Sequence, residues 1–211
     1  MVNCIETLKQ IGIVPVIQIE RAEDAKPLGE TLKNAGLFAA EITFRTEAAA
    51  EALRIMASEV PELFVCAGTI LTPEDVERAI AGGAKAIISP GTNPAVVRWC
   101  IEHDVPVIPG CATPSEVEWC MREGLNMVKL FPAEVVGGVS MLKALAGPYA
   151  VMQFMPTGGI SPDNVGAYLS LSNVAACGGS WIVPKAFLQE GQFDKIEALA
   201  REAVCLAKRY R

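Results

Sequence analysis

The sequence has few of the residues that metal sites and nucleic-acid interfaces need. Its single histidine, His103, and seven cysteines without a C-x-x-C pair exclude a zinc site of the usual His-rich kind. Lys and Arg number 18 against 24 Asp and Glu, a net charge of −6, which leaves no basic stripe to hold a phosphate backbone. We therefore expect neither a metal ion nor a nucleic-acid partner.

Long apolar runs are also missing. No stretch of about 18 apolar residues that could span a membrane occurs, and the first ten residues, MVNCIETLKQ, lack the apolar core of a signal peptide. The cysteines are scattered, several of them in apolar runs, as is typical of reduced thiols that pack as small hydrophobic groups. These features predict a soluble, cytoplasmic protein with no membrane partner.

What the chain does contain is a repeated pattern of short β-branched runs and amphipathic stretches. The runs cover residues 13–19, 38–44, 63–70, 84–90, 105–111, 126–131, 153–158 and 174–181. Nearly all of them end in Gly, Pro, Thr or Ser, which interrupt strands. Helix-start signals lie between the runs, at Thr72-Pro73, Asn93-Pro94, Thr113-Pro114 and Ser161-Pro162. The alternation predicts βαβ units and a parallel sheet.

Eight such units in 211 residues predict an α/β fold, a single-domain (β/α)₈ TIM barrel over residues 1–211 with an extra N-terminal helix. A six-stranded doubly wound sheet is the alternative. It would be expected to carry a G-x-G-x-x-G motif after the first strand, where this chain reads IQIERAED. No linker or shift in composition divides the chain, so we favour the barrel.

The second run places polar side chains where a packed core would reject them. In the segment AEITFRT, Glu41, Thr43 and Arg45 share one face of the strand, while Ile42 and Phe44 share the other. The apolar pair suits the side that faces the helices. The polar trio is therefore predicted to point toward the barrel axis, where the active sites of such barrels lie at the carboxyl ends of the strands.

The sixth run contains a lysine in mid-strand. If Val128 and Leu130 face the helices, Lys129 points toward the axis beside Phe131. Lys129 and Glu41 are then either a passive buried ion pair or a reactive pair; if the alternation is reversed, both are surface residues. Buried ion pairs contribute little net stability, so the placement of both charges on barrel strands favours a reactive site.

A buried amine beside a carboxylate suits imine chemistry. An amine kept out of water is more readily neutral, and a neutral amine can attack a ketone. The iminium that forms accepts electrons, so the bond β to its nitrogen can break. Glu41 can relay the protons, and Arg45 offers a planar fork for a carboxylate. The pattern predicts a lysine-dependent aldolase acting on a 2-keto acid.

Two glycine pairs follow the last two runs: Gly158-Gly159 after the seventh and Gly178-Gly179 in the eighth. Bare backbone N–H groups after these two strands, near a helix N-terminus, form the phosphate site common in TIM barrels. One glycine pair alone could be an ordinary turn. Two pairs at these two positions predict a phosphorylated substrate.

These residues resemble the bacterial 2-keto-3-deoxy-6-phosphogluconate (KDPG) aldolase family, including bifunctional members that also cleave 4-hydroxy-2-oxoglutarate. The matching segments are GIVPVI, EITFRTEAA, CAGTILTPEDV, AIISPG, VKLFPAE, PTGGISPDN and GGSWIVP, in order along nearly the whole chain. The resemblance implies a cofactor-free class I aldolase that splits KDPG reversibly into pyruvate and glyceraldehyde 3-phosphate. It also implies a homotrimer of (β/α)₈ subunits, in carbohydrate metabolism of the Entner–Doudoroff type, and pyruvate and glyoxylate as products from hydroxy-oxoglutarate.

The resemblance also assigns roles to residues of the matching motifs. Lys129 in VKLFPAE matches the imine lysine, and Glu41 in EITFRT matches the acid/base carboxylate. The matches to substrate-binding residues are Arg45, Thr69, Pro90, Phe131, Thr157, Gly158, Gly159, Gly179 and Ser180. Arg45 and Thr69 correspond to contacts with the pyruvyl carboxylate, and Phe131 packs beside the lysine. The residues that hold the hydroxyls and phosphate are Thr157, Gly158, Gly159, Gly179 and Ser180.

Alternatives stay open at this point. Related phosphogalactonate aldolases carry Asn-Ser where this chain has Arg45-Thr46 and lack the threonine at 157, which favours the gluconate substrate. Another phosphosugar isomerase or synthase, or a non-catalytic phosphosugar-binding barrel, would use the glycine pairs without an imine. The chain departs from the family at Glu20-Arg21, where relatives tend to be basic, so a phosphate contact from that loop is not settled.

Overall fold

The computed structural model describes residues 2–210, with Met1 and Arg211 outside that range, and shows strands and helices alternating after an N-terminal helix. The strands are β1 Ile13–Ile17, β2 Ala39–Thr43, β3 Phe64–Gly68, β4 Ala86–Ile88, β5 Val107–Ile108, β6 Gly110–Cys111, β7 Met127–Leu130, β8 Gln153–Phe154 and β9 Cys177–Gly179. The helices are α1 Val2–Ile11, α2 Ala25–Asn34, α3 Ala49–Glu59, α4 Pro73–Ala81, α5 Pro94–Glu102, α6 Pro114–Arg122, α7 Gly138–Ala146, α8 Val165–Leu169, α9 Lys185–Gln189 and α10 Phe193–Arg209, with a 3₁₀ turn at Ala22–Asp24.

The strands pair in parallel and in sequential order. One sheet has the order β5-β4-β3-β2-β1-β9, so the first and last strands of the chain are neighbours, and a second sheet has the order β6-β7-β8. Isolated parallel bridges join Phe154 to Val174 and Thr157 to Gly178, between the two sheets. The prediction of an α/β fold with parallel strands is confirmed. Because the order never reverses, the doubly wound alternative does not describe this topology.

The strands differ from the eight predicted runs in number and length. The run 105–111 divides into β5 and β6 at Pro109, because proline has no N–H to donate to a sheet ladder. The carbonyl of Pro109 still accepts a hydrogen bond from the Lys129 N–H at 2.8 Å. The other strands end earlier than predicted, since their last residues turn into the loops that follow; of the run 174–181 only Cys177–Gly179 is strand.

Three of the predicted helix starts are confirmed by their caps. The Thr72 hydroxyl accepts from the Asp75 N–H, the Asn93 side chain accepts from the Ala95 N–H, and Thr113 forms a capping box with Glu116. The helix-start signal at Ser161-Pro162 does not coincide with the start of a helix. It lies in a turn, and α8 begins three residues after the proline, at Val165.

Two hydrophobic cores lie on opposite faces of the strands, and their composition confirms the predicted alternation. Ile42, Val128 and Leu130 belong to the larger core, which also includes side chains of the surrounding helices. Ala39 and Met127 belong to the second core, into which α1 contributes Cys4, Ile5 and Leu8. Glu41 and Lys129 lie two residues beyond Ala39 and Met127, so they share that face nearer the carboxyl ends of β2 and β7. No helix in the described range is both long enough and apolar enough to cross a bilayer.

Candidate active site

A cavity of about 190 Å³ lies at the carboxyl ends of the strands. It is lined by Val16, Glu41, Thr43, Arg45, Thr69, Pro90, Lys129, Phe131, Thr157, Gly158, Gly159, Ile160, Gly178 and Ser180. Every residue that the sequence predicts for the site is in this set except Gly179. The structure therefore brings together side chains from strands that are far apart in sequence.

The centre of the cavity is a buried ion pair between Lys129 and Glu41. The Lys129 Nζ donates to the Glu41 Oε1 at 3.1 Å, and the two side chains are 6% and 0% exposed. The other carboxylate oxygen, Oε2, is buried without a hydrogen-bond partner among the described residues. Because buried polar atoms are nearly always satisfied, this oxygen marks a place where a bound molecule can donate a hydrogen bond.

The strand ladders fix both members of the pair. Lys129 lies opposite Gly110 in the register of β6 and β7, and its Nζ is 5.3 Å from the centre of the Phe131 ring, within the range of a cation–π contact. Glu41 lies opposite Cys66 in β3. Burial raises the pKa of the Cys66 thiol well above its usual range, so the residue next to the carboxylate is a neutral thiol.

Thr43 is a site residue that the sequence analysis placed on the correct face without assigning it a role. Its hydroxyl donates to the Ile17 carbonyl at 2.7 Å and accepts from the Arg45 Nε at 3.3 Å. Arg45 itself is exposed at the edge of the cavity. The period-two alternation that selected Glu41 and Arg45 was sufficient to find Thr43 as well.

Thr69 has an unusual backbone conformation immediately after β3. Its φ is +58°, in the left-handed region that β-branched residues rarely occupy. Such strain costs about 1–3 kcal/mol and is found mostly at functional sites, where the surrounding structure holds it in place. In this protein it places Thr69 in the wall of the cavity.

Two positions in the loop after β8, 158 and 159, require glycine because of their backbone angles and close contacts. Gly158 and Gly159 have φ values of +100° and +81°, which favour glycine. A Cβ on Gly158 would also lie 3.2 Å from the Cα of Pro132. Both glycines line the cavity, as does Ser180.

Of the second glycine pair, Gly178-Gly179, only Gly178 is part of the cavity wall. Gly178 lines the cavity, and a Cβ there would collide with the side chain of Thr157, to which Gly178 is bridged. At Gly179 the space beside the Cα is filled by the indole ring of Trp181. The substrate contact of Gly179 stays a prediction, and Gly178, for which no individual role was predicted, lies in the wall.

The charges of the Glu20-Arg21 loop are satisfied within the protein. Lys185 donates to Glu20 at 2.9 Å, and this bond, with one from Gln18, lowers the pKa of the Glu20 carboxyl. Arg21 donates two hydrogen bonds of 2.9 Å to Asp24. Neither Glu20 nor Arg21 lines the cavity.

The single histidine lies elsewhere. His103 ends α5 and stacks on Trp99 with ring centroids 3.9 Å apart. Across the described residues, no group of three or more His, Cys, Asp and Glu side chains is arranged to hold a metal ion.

Comparison with known proteins gives a consistent result. A family model described as KDPG and KHG aldolase matches residues 4–199. The 2-dehydro-3-deoxy-phosphogluconate aldolase of Haemophilus influenzae is 46% identical over 204 residues, which cover 97% of this chain and 96% of the relative. The KHG/KDPG aldolase of Escherichia coli K12 is 45% identical over 196 residues, covering 93% and 92%.

Solved structures with the same fold include two with small molecules. KDPG aldolase from Legionella pneumophila, with pyruvate captured at low pH as a covalent carbinolamine intermediate, has a TM-score of 0.90 at 37% identity, over 93% of this chain and 96% of that one. The KDPG aldolase of Zymomonas mobilis ZM4 with 3-phosphoglycerate has a TM-score of 0.89 at 36% identity, over 96% and 95%. A native KDPGal structure, 22% identical with a TM-score of 0.83, is similar in fold.

Proposed function

The chain belongs to the KDPG and KHG aldolase family, and on that premise we propose that it cleaves KDPG into pyruvate and glyceraldehyde 3-phosphate through an imine on Lys129. It is an aldolase and therefore a lyase. The observation that carries the proposed mechanism is the buried pair of Lys129 and Glu41, 3.1 Å apart in the cavity wall. A lysine placed in this way is a nucleophile with a proton relay in contact with it.

In the proposed reaction, the Lys129 Nζ attacks the C2 carbonyl of the substrate, and loss of water gives an iminium. Glu41 then takes the proton of the C4 hydroxyl as the C3–C4 bond breaks. The bonding electrons move into the iminium, which becomes an enamine, and glyceraldehyde 3-phosphate leaves. Protonation of the enamine at C3 and hydrolysis of the imine release pyruvate and restore the lysine. The unpartnered Glu41 Oε2 is the atom we assign to the proton transfers.

The cavity wall supplies contacts for both ends of the substrate. We assign the pyruvyl carboxylate to Arg45 and Thr69, with Pro90 and Phe131 packing against the chain of the substrate. We assign its hydroxyls and phosphate to Thr157, Gly158, Gly159 and Ser180, which line the cavity, and to Gly179 next to them in the sequence. The relative that holds 3-phosphoglycerate, a phosphorylated three-carbon acid, supports a phosphate site of this kind.

Two observations bear on the choice of substrate. Arg45-Thr46 and Thr157 favour phosphogluconate over phosphogalactonate as the parent sugar acid. The relative named KHG/KDPG aldolase favours 4-hydroxy-2-oxoglutarate as a second substrate, which would give pyruvate and glyoxylate. An isomerase or a non-catalytic binding barrel would not form an imine. We consider these two functions less well supported, because neither gives a role to the buried pair of Lys129 and Glu41.

We further propose that the two sheets close into one eight-stranded barrel within a single domain over residues 1–211. Support comes from the bridges between β8 and the segment around β9 and from the break between β5 and β6 at a single proline. We also propose a homotrimer, which rests on the resemblance to the family alone. Seven free thiols support a cytoplasmic location, and the Entner–Doudoroff pathway remains a prediction.

The direct test is an assay of KDPG cleavage in which pyruvate and glyceraldehyde 3-phosphate are both quantified. We expect the unmodified protein to form them in equal amounts, and Lys129→Ala to form neither while it still folds, as checked by circular dichroism. Lys143→Ala, on the exposed surface of α7, is the matched control and should retain full activity. Retained cleavage by Lys129→Ala would contradict the imine mechanism, and absence of cleavage by the unmodified protein would contradict the proposed function.

A further inference from the structure

The glycine loop that follows β8 is held from outside the cavity by the side chain of Asn164. The Asn164 Nδ2 donates to the Gly159 carbonyl at 2.9 Å, and its Oδ1 accepts from the Ser161 N–H at 2.8 Å. One amide group therefore fixes two peptide groups of the loop. Asn164 does not line the cavity; it borders a separate hollow of about 350 Å³ behind the loop.

Glu134 holds the same loop and borders the same hollow as Asn164. Its N–H donates to the Gly158 carbonyl at 3.1 Å, and its Cγ lies 2.5 Å from the position that a Cβ on Gly159 would occupy. The carboxylate accepts a hydrogen bond from the phenol of Tyr168, which is fully buried. Burial, together with that bond, raises the pKa of Tyr168 above its usual range, so the phenol stays a donor.

These bonds determine where the loop points its N–H groups. In a trans peptide the C=O and the N–H of one plane point in opposite directions. A fixed Gly158 carbonyl therefore orients the N–H of Gly159, and a fixed Gly159 carbonyl orients the N–H of Ile160. Both carbonyls are bound by residues behind the loop, so both N–H groups point to the other side. That side is the cavity, which Gly158, Gly159 and Ile160 line.

The conformational freedom of the loop makes this support necessary. Gly158 and Gly159 are the residue type that loses the most entropy on being ordered. Without bonds to their carbonyls, the two peptide planes could rotate and turn their N–H groups away from an anion. The hydrogen bonds of Asn164 and Glu134 are supplied by the protein itself, and a loop ordered in this way reduces the ordering cost that binding would otherwise carry.

We propose that Asn164 is a positioning residue that directs the N–H groups of Gly159 and Ile160 at the substrate phosphate, with Glu134 as the second support. The inference rests on the proposed function, because it takes the phosphate of KDPG as the ligand of this loop. Asn164 touches neither the substrate nor the reacting atoms. Its effect is therefore on phosphate recognition, and the chemistry at Lys129 does not depend on it.

Asn164→Asp tests the proposal with almost no change in shape. It keeps the acceptor for the Ser161 N–H and replaces the donor to the Gly159 carbonyl by a second oxygen. We expect the KM for KDPG and the inhibition constant of inorganic phosphate each to rise about tenfold, the scale of one lost hydrogen bond, with a smaller change in kcat. The rate of borohydride trapping with pyruvate, which has no phosphate, should stay the same. Asn164→Ala adds no charge and should shift both constants in the same direction.

Asn93 offers a matched control because its amide makes the same two kinds of bond. Its Nδ2 donates to the Leu71 carbonyl at 2.8 Å and its Oδ1 accepts from the Ala95 N–H at 3.0 Å, at the start of α5. Asn93→Asp should leave the inhibition constant of phosphate unchanged. If Asn164→Asp behaves like Asn93→Asp, or lowers pyruvate trapping by the same factor as it weakens phosphate, the positioning role is wrong.

The failure of this inference can be told apart from the failure of the proposed function. If the unmodified protein does not cleave KDPG, the function is wrong, and calorimetric titration with inorganic phosphate still decides the role of Asn164. Weaker phosphate binding in Asn164→Asp than in the unmodified protein supports the positioning role in that case. Equal binding by the two proteins, or no binding by either, overturns it.

Discussion

Gly68 leaves the space that the carboxyl group of Glu41 occupies. A Cβ on Gly68 would lie 2.6 Å from the Cγ and 2.8 Å from the Cδ of Glu41. The register of β2 and β3 pairs Glu41 with Cys66, and Gly68, two residues further along, points to the same face. The absence of a side chain at 68 thus determines where the Glu41 carboxylate can lie relative to Lys129.

Gly68→Ala should therefore displace the carboxylate. We expect kcat for KDPG cleavage to fall at least tenfold, because a misplaced proton relay is costly, and the free energy of unfolding to fall by about 1–3 kcal/mol, as for other overpacked sites. Steady-state kinetics and urea unfolding measure the two effects. Gly147→Ala is the control, since a Cβ there meets no atom within 4 Å; equal kinetics for both variants would contradict the steric role.

Glu41→Gln should preserve the shape of the site and remove the proton relay. We expect kcat to fall roughly 100- to 10,000-fold, the range for loss of a general acid–base group, with a much smaller change in KM. A pre-steady-state trace of pyruvate release would locate the loss in the chemical steps. If kcat were unchanged, another group would have to carry the protons.

Arg45→Lys should weaken recognition of the substrate carboxylate. An ammonium group cannot reproduce the two parallel hydrogen bonds of a guanidinium, so we expect the KM for both KDPG and pyruvate exchange to rise about tenfold. Arg54→Lys, on the exposed face of α3, should have no effect. An Arg45→Lys variant with normal KM values would remove Arg45 from the binding site.

Glu116 should give the start of α6 a pH-dependent stability. Burial raises the pKa of its carboxyl, but hydrogen bonds from Ala112 and Thr113 outweigh this effect and lower it. A lowered folded-state pKa stabilises the protein above the unfolded value of about 4.3, and this contribution is lost as the pH falls through the folded pKa.

Glu116→Gln should consequently be less stable than the unmodified protein by about 1 kcal/mol at pH 7, and the difference should shrink toward pH 3. Urea unfolding at the two pH values measures it. Glu77→Gln, on the exposed face of α4, serves as the control with little difference at either pH. A stability difference for Glu116→Gln that did not depend on pH would count against the assigned bonds.

The site residues that lie at alternating positions along a strand could be predicted from the sequence. Glu41, Arg45 and Lys129 were found because polar residues on the inner face of a strand conflict with a packed core. The same pattern placed Thr43 on that face, although it gave this residue no role. The parallel α/β fold was predictable because each unit carries its own strand and helix signals.

The features that depend on register or on loop geometry could not be predicted. The role of Gly68 follows from the pairing of Glu41 with Cys66, and sequence periodicity within one strand carries no information on pairing. The support of the glycine loop by Asn164 depends on hydrogen bonds in a turn, where no periodicity exists. The close packing of Gly178 against Thr157 and of Gly179 against the Trp181 ring depends on where those side chains point.

The claim that Lys129 forms an imine is tested most directly by treating the protein with borohydride in the presence of pyruvate, because borohydride reduces the imine to a stable adduct. If Lys129 forms the imine, mass spectrometry of the digested protein will find the reduced pyruvyl adduct on Lys129 alone, and none will form without pyruvate. The Lys129→Ala variant, treated in parallel, should remain unmodified. An unmodified Lys129, or an adduct on a different lysine, would contradict the account.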